Sequence, residues 1–467
     1  MNADAPLPER PPEAWEPMLR FARLATRPLE RFLRVQAASA LLLLLASVTA
    51  LVCENSSLRG AYRALWHTPL GLRVGSLRLE QPLEWFVNDV LMVVFFFVVG
   101  MEIRREIHHG ELSTPRRAAL PVAAALGGMI APALIYLAVA GDTALRPGWG
   151  VPMATDIAFA VGAFVALGAR VPPALRVLLL ALAVIDDLGA IVVIAVFYSD
   201  GVRASGLLIS ALGLLGIFAM QGLGVRSRVS YIAPAAVVWA GLYRGGVHPT
   251  LAGVIVGFVT PVRAWLGPDG FVQRAGDAIA VLTQRASGAD ARGLGDALRE
   301  VERARREALS PSEGLIEALH PWVAYGIMPL FALANAGVSL QGATLHGEPL
   351  RATLGIAVAL LVGKPLGVLV ACALALRLRV ASMPAGLGAR HLTVLGLAAG
   401  IGFTMSLFIA QLAFGAGTSL ANAKLGVLAG SVFATVAALL AGRALLDAAP
   451  VPGAAESADE AESSTEK

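Results

Sequence analysis

From end to end the chain repeats one pattern: runs of about 20 residues with almost no charge, separated by short charged segments. A soluble helix breaks its apolar stripe with charge every few positions, because one face meets water. Runs that are apolar all round need lipid or protein on every side. With 57% hydrophobic and only 15% charged residues, the chain has too little polar surface to hide so much apolar surface from water. Its mean hydropathy of +0.70 points the same way. The expected class is an all-α membrane protein, with lipid as a partner and no nucleic acid.

Spans of about 20 residues fit at 34–53, 84–104, 117–141, 149–168, 174–199, 203–223, 229–244, 248–265, 319–340, 350–376, 391–415 and 422–446. Such a reading, of about twelve transmembrane helices, puts both termini on one side. Of the 37 Lys and Arg residues, 27 fall on the side of the termini and 9 on the other, with Lys364 inside a span. Positive charge stays inside, so both termini are expected on the cytoplasmic side. The domain reading follows: residues 1–33 a cytoplasmic extension, 34–265 the first eight helices, 266–318 a cytoplasmic insertion, 319–446 the last four helices, and 447–467 an acidic disordered tail. Within the insertion, Leu294, Leu298, Val301 and Leu309 among charges suggest a surface helix over 293–309.

The first apolar run lacks a cleavage site and is long enough to span, so it reads as retained. Cys53 and Cys372 lie on different helices and offer neither a disulfide framework nor metal-ligand spacing, and no cofactor is expected. Between the first two spans, Leu72, Val74, Leu77 and Leu79 alternate with polar residues around Gly75-Ser76, which predicts a periplasmic β-hairpin over 71–80. An isolated hairpin is marginal and has open edges, so it either packs on its own protein or pairs with a second copy in a homodimer.

The chemistry lies in the charges inside the spans, each costing about 2.5–3.5 kcal/mol to insert. Asp186 and Asp187 are adjacent carboxylates with apolar residues on both sides. Neighbouring helical residues point about 100° apart, so the pair cannot share one partner. One suits a hard cation held through oxygen; the other suits a buried cationic side chain. Lys364, in Gly363-Lys364-Pro365, is the lysine in the middle of a span, with apolar residues on both sides. Pro152, Thr155 and Asp156 interrupt the fourth run, and Gly400 and Gly402 interrupt the eleventh. Paired interruptions in two halves point to an inverted-repeat transporter with its site at the midplane.

Ala154-Thr155-Asp156-Ile157-Ala158-Phe159, Ile185-Asp186-Asp187-Leu188-Gly189, His248-Pro249-Thr250, Ala334-Asn335-Ala336, Gly363-Lys364-Pro365 and Gly400-Ile401-Gly402-Phe403-Thr404 resemble, in order, the motifs of the NhaA-type sodium/proton antiporters. The resemblance implies two discontinuous helices crossing at the midplane within inverted repeats, and exchange of Na+, with Li+ as a further cation, for protons by pH-regulated alternating access. It makes Asp187 the direct cation ligand, lets Asp186 pair with Lys364, and sets Asp156 and Thr155 beside them. Asp89 and Gly402 are secondary positions. Glu102, Arg105, Glu106 and Glu317 match a pH-responsive cluster, with His320 close by and Ala318 where the family commonly has histidine. Glu102–Glu106 also reads as an ordinary charged helix end. His248 reads as a pH element or, more simply, as a helix cap.

Other classes fit less well. An intramembrane aspartyl protease needs its two aspartates facing each other from separate helices. A metal-dependent prenyl transferase needs two aspartate-rich motifs, and only one Asp pair is present. A channel would carry a repeated filter segment, and a carrier of organic anions would want Arg at the site rather than carboxylates.

Overall fold

In a computed structural model of the protein, residues 38–74, 77–141, 144–199, 201–225, 227–264, 266–285, 299, 301–305, 307–340 and 347–447 are described. The expected N-terminal extension, the acidic tail beyond 447, the Gly75-Ser76 turn and residues 293–298, 300 and 306 of the expected 293–309 helix lie outside them; 299, 301–305, 307 and 308 are helical. Among the described residues, eight helices are long and apolar enough to cross a membrane, or up to ten if each of two bent pairs is one span.

Helix α1 (Ala38–Glu54) turns through 116° into the short α2 (Arg59–Trp66), which carries its charge on one face and buries Trp66. Strands β1 (Pro69–Val74) and β2 (Leu77–Pro82) follow, antiparallel, with Leu72 opposite Leu79. Next come α3 (Leu83–His109), α4 (Pro115–Ala140), α5 (Ile157–Leu167), α6 (Pro173–Phe197) and α7 (Ala204–Gly222). Helices α8 (Ile232–Arg244), α9 (Leu251–Val259) and α10 (Gly267–Arg285) lead to α11 (Pro311–Asn335) and α12 (Glu348–Arg377). The last are α13 (Ala389–Ala399), α14 (Phe403–Phe414) and α15 (Thr418–Leu445).

Three boundaries differ from the sequence expectation. Helices α8 and α9 have 13 and 9 residues, short of a full span. Helix α9 stops because Pro261 pushes Thr260 out of the helical region, to ψ 130°. Helix α8 is preceded by a tighter turn at Val229–Tyr231. Helix α11 starts at Pro311 rather than 319, because Ser310 and Glu313 form a capping box, each side chain accepting the other's amide at 3.2 and 3.1 Å.

Two packed groups make up the bundle. One holds α4, α5, α6 and α12–α15; the other holds α3, α7, α8, α9 and α11. They meet along α3 against α6 and α11 against α14. In the first group α4 crosses α12 backbone to backbone. A Cβ at Gly127 or Gly367 would come within 2.1 or 2.0 Å of the other's carbonyl oxygen. Just before Lys364, α12 widens into a π-helical turn, Ala359–Gly363, which absorbs the amide missing at Pro365.

Candidate functional site

Helix α6 carries Asp186 and Asp187 fully inside the protein, at 0% and 1% exposure. The 100° between them separates their surroundings. Asp186 Oδ2 lies 2.6 Å from Lys364 Nζ, an ion pair with both side chains buried. The same ammonium donates to the Met153 carbonyl, which ends the 3₁₀ turn Arg146–Met153. A cation there offsets the negative end of that helical segment. Removing one partner of such a buried pair costs about 3–5 kcal/mol, because the other charge is stranded.

Asp156 fixes the place where the chain is interrupted twice. Residues Ala154–Asp156 are non-helical, and Asp156 caps α5, its Oδ1 accepting the Phe159 amide at 3.2 Å. Its other oxygen, Oδ2, accepts the Thr404 amide at 3.0 Å and the Thr404 hydroxyl, so it also caps α14. Two positive helix ends converge on one carboxylate. The breaks are further stitched by the Asp156 amide donating to the Ile401 carbonyl at 2.7 Å and the Thr155 hydroxyl donating to the Ala399 carbonyl at 2.9 Å. Gly402 permits the approach: a Cβ there would lie 2.3 Å from Ser406 Oγ and 2.9 Å from the Ala154 carbonyl.

A cavity of about 260 Å³ opens between the two packed groups, and Asp187, Asp156 and Thr155 line it. Asp187 Oδ1 has no hydrogen-bond partner among the described residues. Buried carboxylate oxygens are normally paired, so an unpaired one beside a cavity is suited to a ligand that supplies positive charge. Asp186 and Lys364 are not among the lining residues; they stand behind Asp187.

The same cavity is lined by Glu102, Arg105 and Glu106 from the end of α3 and by His320 from α11. Glu106 also holds the Glu111 amide at 2.6 Å. Glu317 does not line the cavity and lies near the Arg305 guanidinium instead. Asp89 and His248 are also away from it. They meet each other, His248 Nε2 standing 3.8 Å from Asp89 Oδ1 and His248 Nδ1 2.8 Å from the Thr250 hydroxyl at the start of α9.

The profile of the family described as Na+/H+ antiporter 1 matches residues 30–441. The chain belongs to the NhaA family of sodium/proton antiporters. It is 62% identical over 456 residues to the "Na(+)/H(+) antiporter NhaA 2" of Myxococcus xanthus, covering 97% of each chain. It is 56% identical to a protein of the same name from Sorangium cellulosum, covering 98% of each, and 48% identical to the "Na(+)/H(+) antiporter NhaA" of Bordetella petrii, covering 95% of this chain and 97% of the relative. As a member of the NhaA family, the chain is a multi-pass membrane transporter rather than an enzyme. Two residues of its site were not singled out by sequence: Thr404, which shares Asp156, and Ser431 of α15, whose Oγ accepts the Phe403 amide at 3.1 Å. The hydroxyl that ends the Gly400–Thr404 motif could have pointed to Thr404; nothing in the long apolar run around Ser431 marks it.

Proposed function

We propose that this chain exchanges Na+, and with it Li+, for protons, the cation and the protons competing for Asp187 and Asp186. The observation that carries this reading is the division of labour on α6: Asp187 unpaired beside a cavity, Asp186 behind it on Lys364. Thr155 and Asp156 complete a hard oxygen set next to Asp187. A cation bound there requires an ionised carboxylate, and a proton bound there displaces the cation, so the two are carried in turn. Alternating access then consists of the α4–α6, α12–α15 group moving against the other.

In this reading the short α8 and α9 complete twelve spans, and the two broken helices cross at the midplane of inverted repeats. The surplus of Lys and Arg places the termini, the Glu102 end of the cavity and the 266–318 insertion in the cytoplasm of the inner membrane. Glu102, Arg105, Glu106 and His320, at the cavity mouth, would adjust occupancy with pH as a coupled network, with Glu317 acting from its flank and His248 from the opposite end. The open edges of β1 and β2 suit a homodimer. Deleting 73–78 should then weaken the dimer in mild detergent; unchanged dimer migration would remove that part.

The test is sodium-driven proton movement in everted vesicles across a pH series, with Li+ and K+ as parallel salts. On the acid side, apparent sodium affinity should fall about tenfold per pH unit where one proton competes, and more steeply for two. Asp187→Asn should abolish exchange while the protein still inserts. A flat sodium affinity from acid to alkaline pH, or full exchange by Asp187→Asn, would falsify the assignment.

A further inference from the structure

Helix α3 belongs to one packed group and α4 to the other: α3 lies against α9 and α11, α4 against α12 and α6. Gly110–Thr114, the five residues between His109 and Pro115, join them. The turn is closed by its own hydrogen bonds. The Gly110 amide donates to the Glu106 carbonyl at 3.0 Å, and the Ser113 amide and hydroxyl donate to the Gly110 carbonyl at 3.1 and 2.6 Å. One side chain from α3 closes it further, because Glu106 Oε1 accepts the Glu111 amide at 2.6 Å. Movement of one group against the other must pass through this joint.

Glu106 reaches that amide because residue 110 has no side chain. A Cβ at Gly110 would fall 2.2 Å from Glu106 Cδ and 2.3 Å from each carboxylate oxygen. The backbone itself makes no demand for glycine, since φ −101° and ψ −156° are extended and open to L-residues. Space, not conformation, is what the glycine supplies. The same Glu106 lines the first cavity, beside Glu102, Arg105 and His320. Its side chain therefore serves both the joint and the mouth of the ion path.

We propose that Glu106 is a catch on the joint, seated by the missing side chain at Gly110, and that a cation drawn to the mouth takes it off the Glu111 amide and frees the two groups to move. The proposal rests on the alternating-access reading above. A hard cation at the mouth gains by taking oxygen from both Glu102 and Glu106. With the catch seated, Oε1 is committed to the amide; once it is released, both oxygens of Glu106 can serve the cation. That difference in affinity is what lets the cation shift the equilibrium. The coupling is reciprocal, so a joint freed in advance binds the cation more tightly. Gly110 is a positioning residue: it touches no ion and acts through Glu106.

The experiment follows deuterium uptake at the Glu111 amide of the full-length protein in nanodiscs, at one pH, with sodium chloride against choline chloride. In the wild type sodium should speed uptake by about fivefold or more, the lower end of ordinary coupling between sites. In Gly110→Ala the new methyl displaces the flexible end of Glu106, so uptake should be fast in either salt and the melting temperature near that of wild type. Its sodium KM for transport should fall by a similar factor. Glu106→Ala should show the same fast, salt-independent uptake, and adding Gly110→Ala to it should change nothing further. Protection of Glu111 in Gly110→Ala equal to that in wild type, or wild-type uptake that sodium leaves unchanged, would overturn the proposal. Asp187→Asn separates the catch from the transport site: its turn should still answer sodium although transport is lost, and a silent turn there would place the trigger at Asp187 and overturn the proposal. Absence of sodium transport in the wild type would count against the sodium/proton reading, while the uptake rates would still decide the catch.

Discussion

The two interruptions in the helices are built differently. The first, at Ala154–Asp156, brings its own chemistry: Pro152 limits the helix before it, and Asp156 caps α5 from the next residue back. The second, at Ile401–Gly402, brings only glycine and flexibility, and no side chain of its own caps α14. Its N-terminal amides are satisfied from elsewhere, Thr404 by Asp156 and Phe403 by Ser431. The first break caps its own helix and the second takes its cap from the first, lending in return the Ile401 and Ala399 carbonyls to the Asp156 amide and the Thr155 hydroxyl. Both helix ends are thus referred to one carboxylate, so a change felt at Asp156 reaches the two halves together.

Replacing Asp156 strikes both breaks and has the largest expected effect. Asp156→Ala removes two caps, each worth about 1 kcal/mol, and leaves amides without partners inside the protein, at about 1–3 kcal/mol apiece. Exchange should drop by more than tenfold, or about 1.4 kcal/mol in the barrier, and the melting temperature in detergent should fall. Asp156→Asn keeps one acceptor oxygen and can serve only one helix end, so it should lie between wild type and alanine. An asparagine variant as crippled as alanine would mean that charge, and not the shared cap, is what the breaks require.

The contrast also explains what could be read from the sequence. A proline with Thr155 and Asp156 inside an apolar run is conspicuous, because short polar side chains there need a reason. Gly400 and Gly402 mark the second break as well. Ser431 left no trace: a lone hydroxyl in a long apolar helix usually bonds back to its own turn, as Thr435 does to the Ser431 carbonyl at 2.7 Å. On α6, helical spacing says that Asp186 and Asp187 diverge, and no spacing says which one meets the lysine. Hydropathy also extended the eighth run through Pro261, where the backbone turns out of the helix, and passed over the Ser310–Glu313 cap that begins α11. Apolar content sets how many helices there are to place; local backbone chemistry sets where they stop.

Gly402→Ala should come next in size. The added methyl meets Ser406 Oγ at 2.3 Å, which a rotamer change could relieve, and the Ala154 carbonyl at 2.9 Å, which cannot move without parting the two breaks. Overpacking of this kind costs about 1–3 kcal/mol. Gly388→Ala, with nothing within 4 Å of the new methyl and an extended backbone, is the matched control and should be near neutral. Equal sodium affinity and thermal stability in the two variants would show that the breaks tolerate separation.

The smallest effect is expected at Ser431, and it decides whether the second break is dependent in the way described. Ser431 is 3% exposed, and its hydroxyl oxygen accepts the Phe403 amide. Ser431→Ala strands that amide in the interior and should cost about 1 kcal/mol, the ordinary value of a lost cap. It should lower the melting temperature slightly and leave sodium affinity within about twofold, less than 0.6 kcal/mol, because Thr404 still anchors α14 on Asp156. The sharper measurement is the pair Asp156→Ala with Ser431→Ala. Were the two acceptors to hold separate structures, their costs would add to within about 0.3–0.5 kcal/mol. Because they hold consecutive amides of one helix end, the first loss should already release α14, and the second should then cost less than it does alone. Strict additivity would mean that α14 keeps its position without Asp156, and the two breaks would have to be treated as independent.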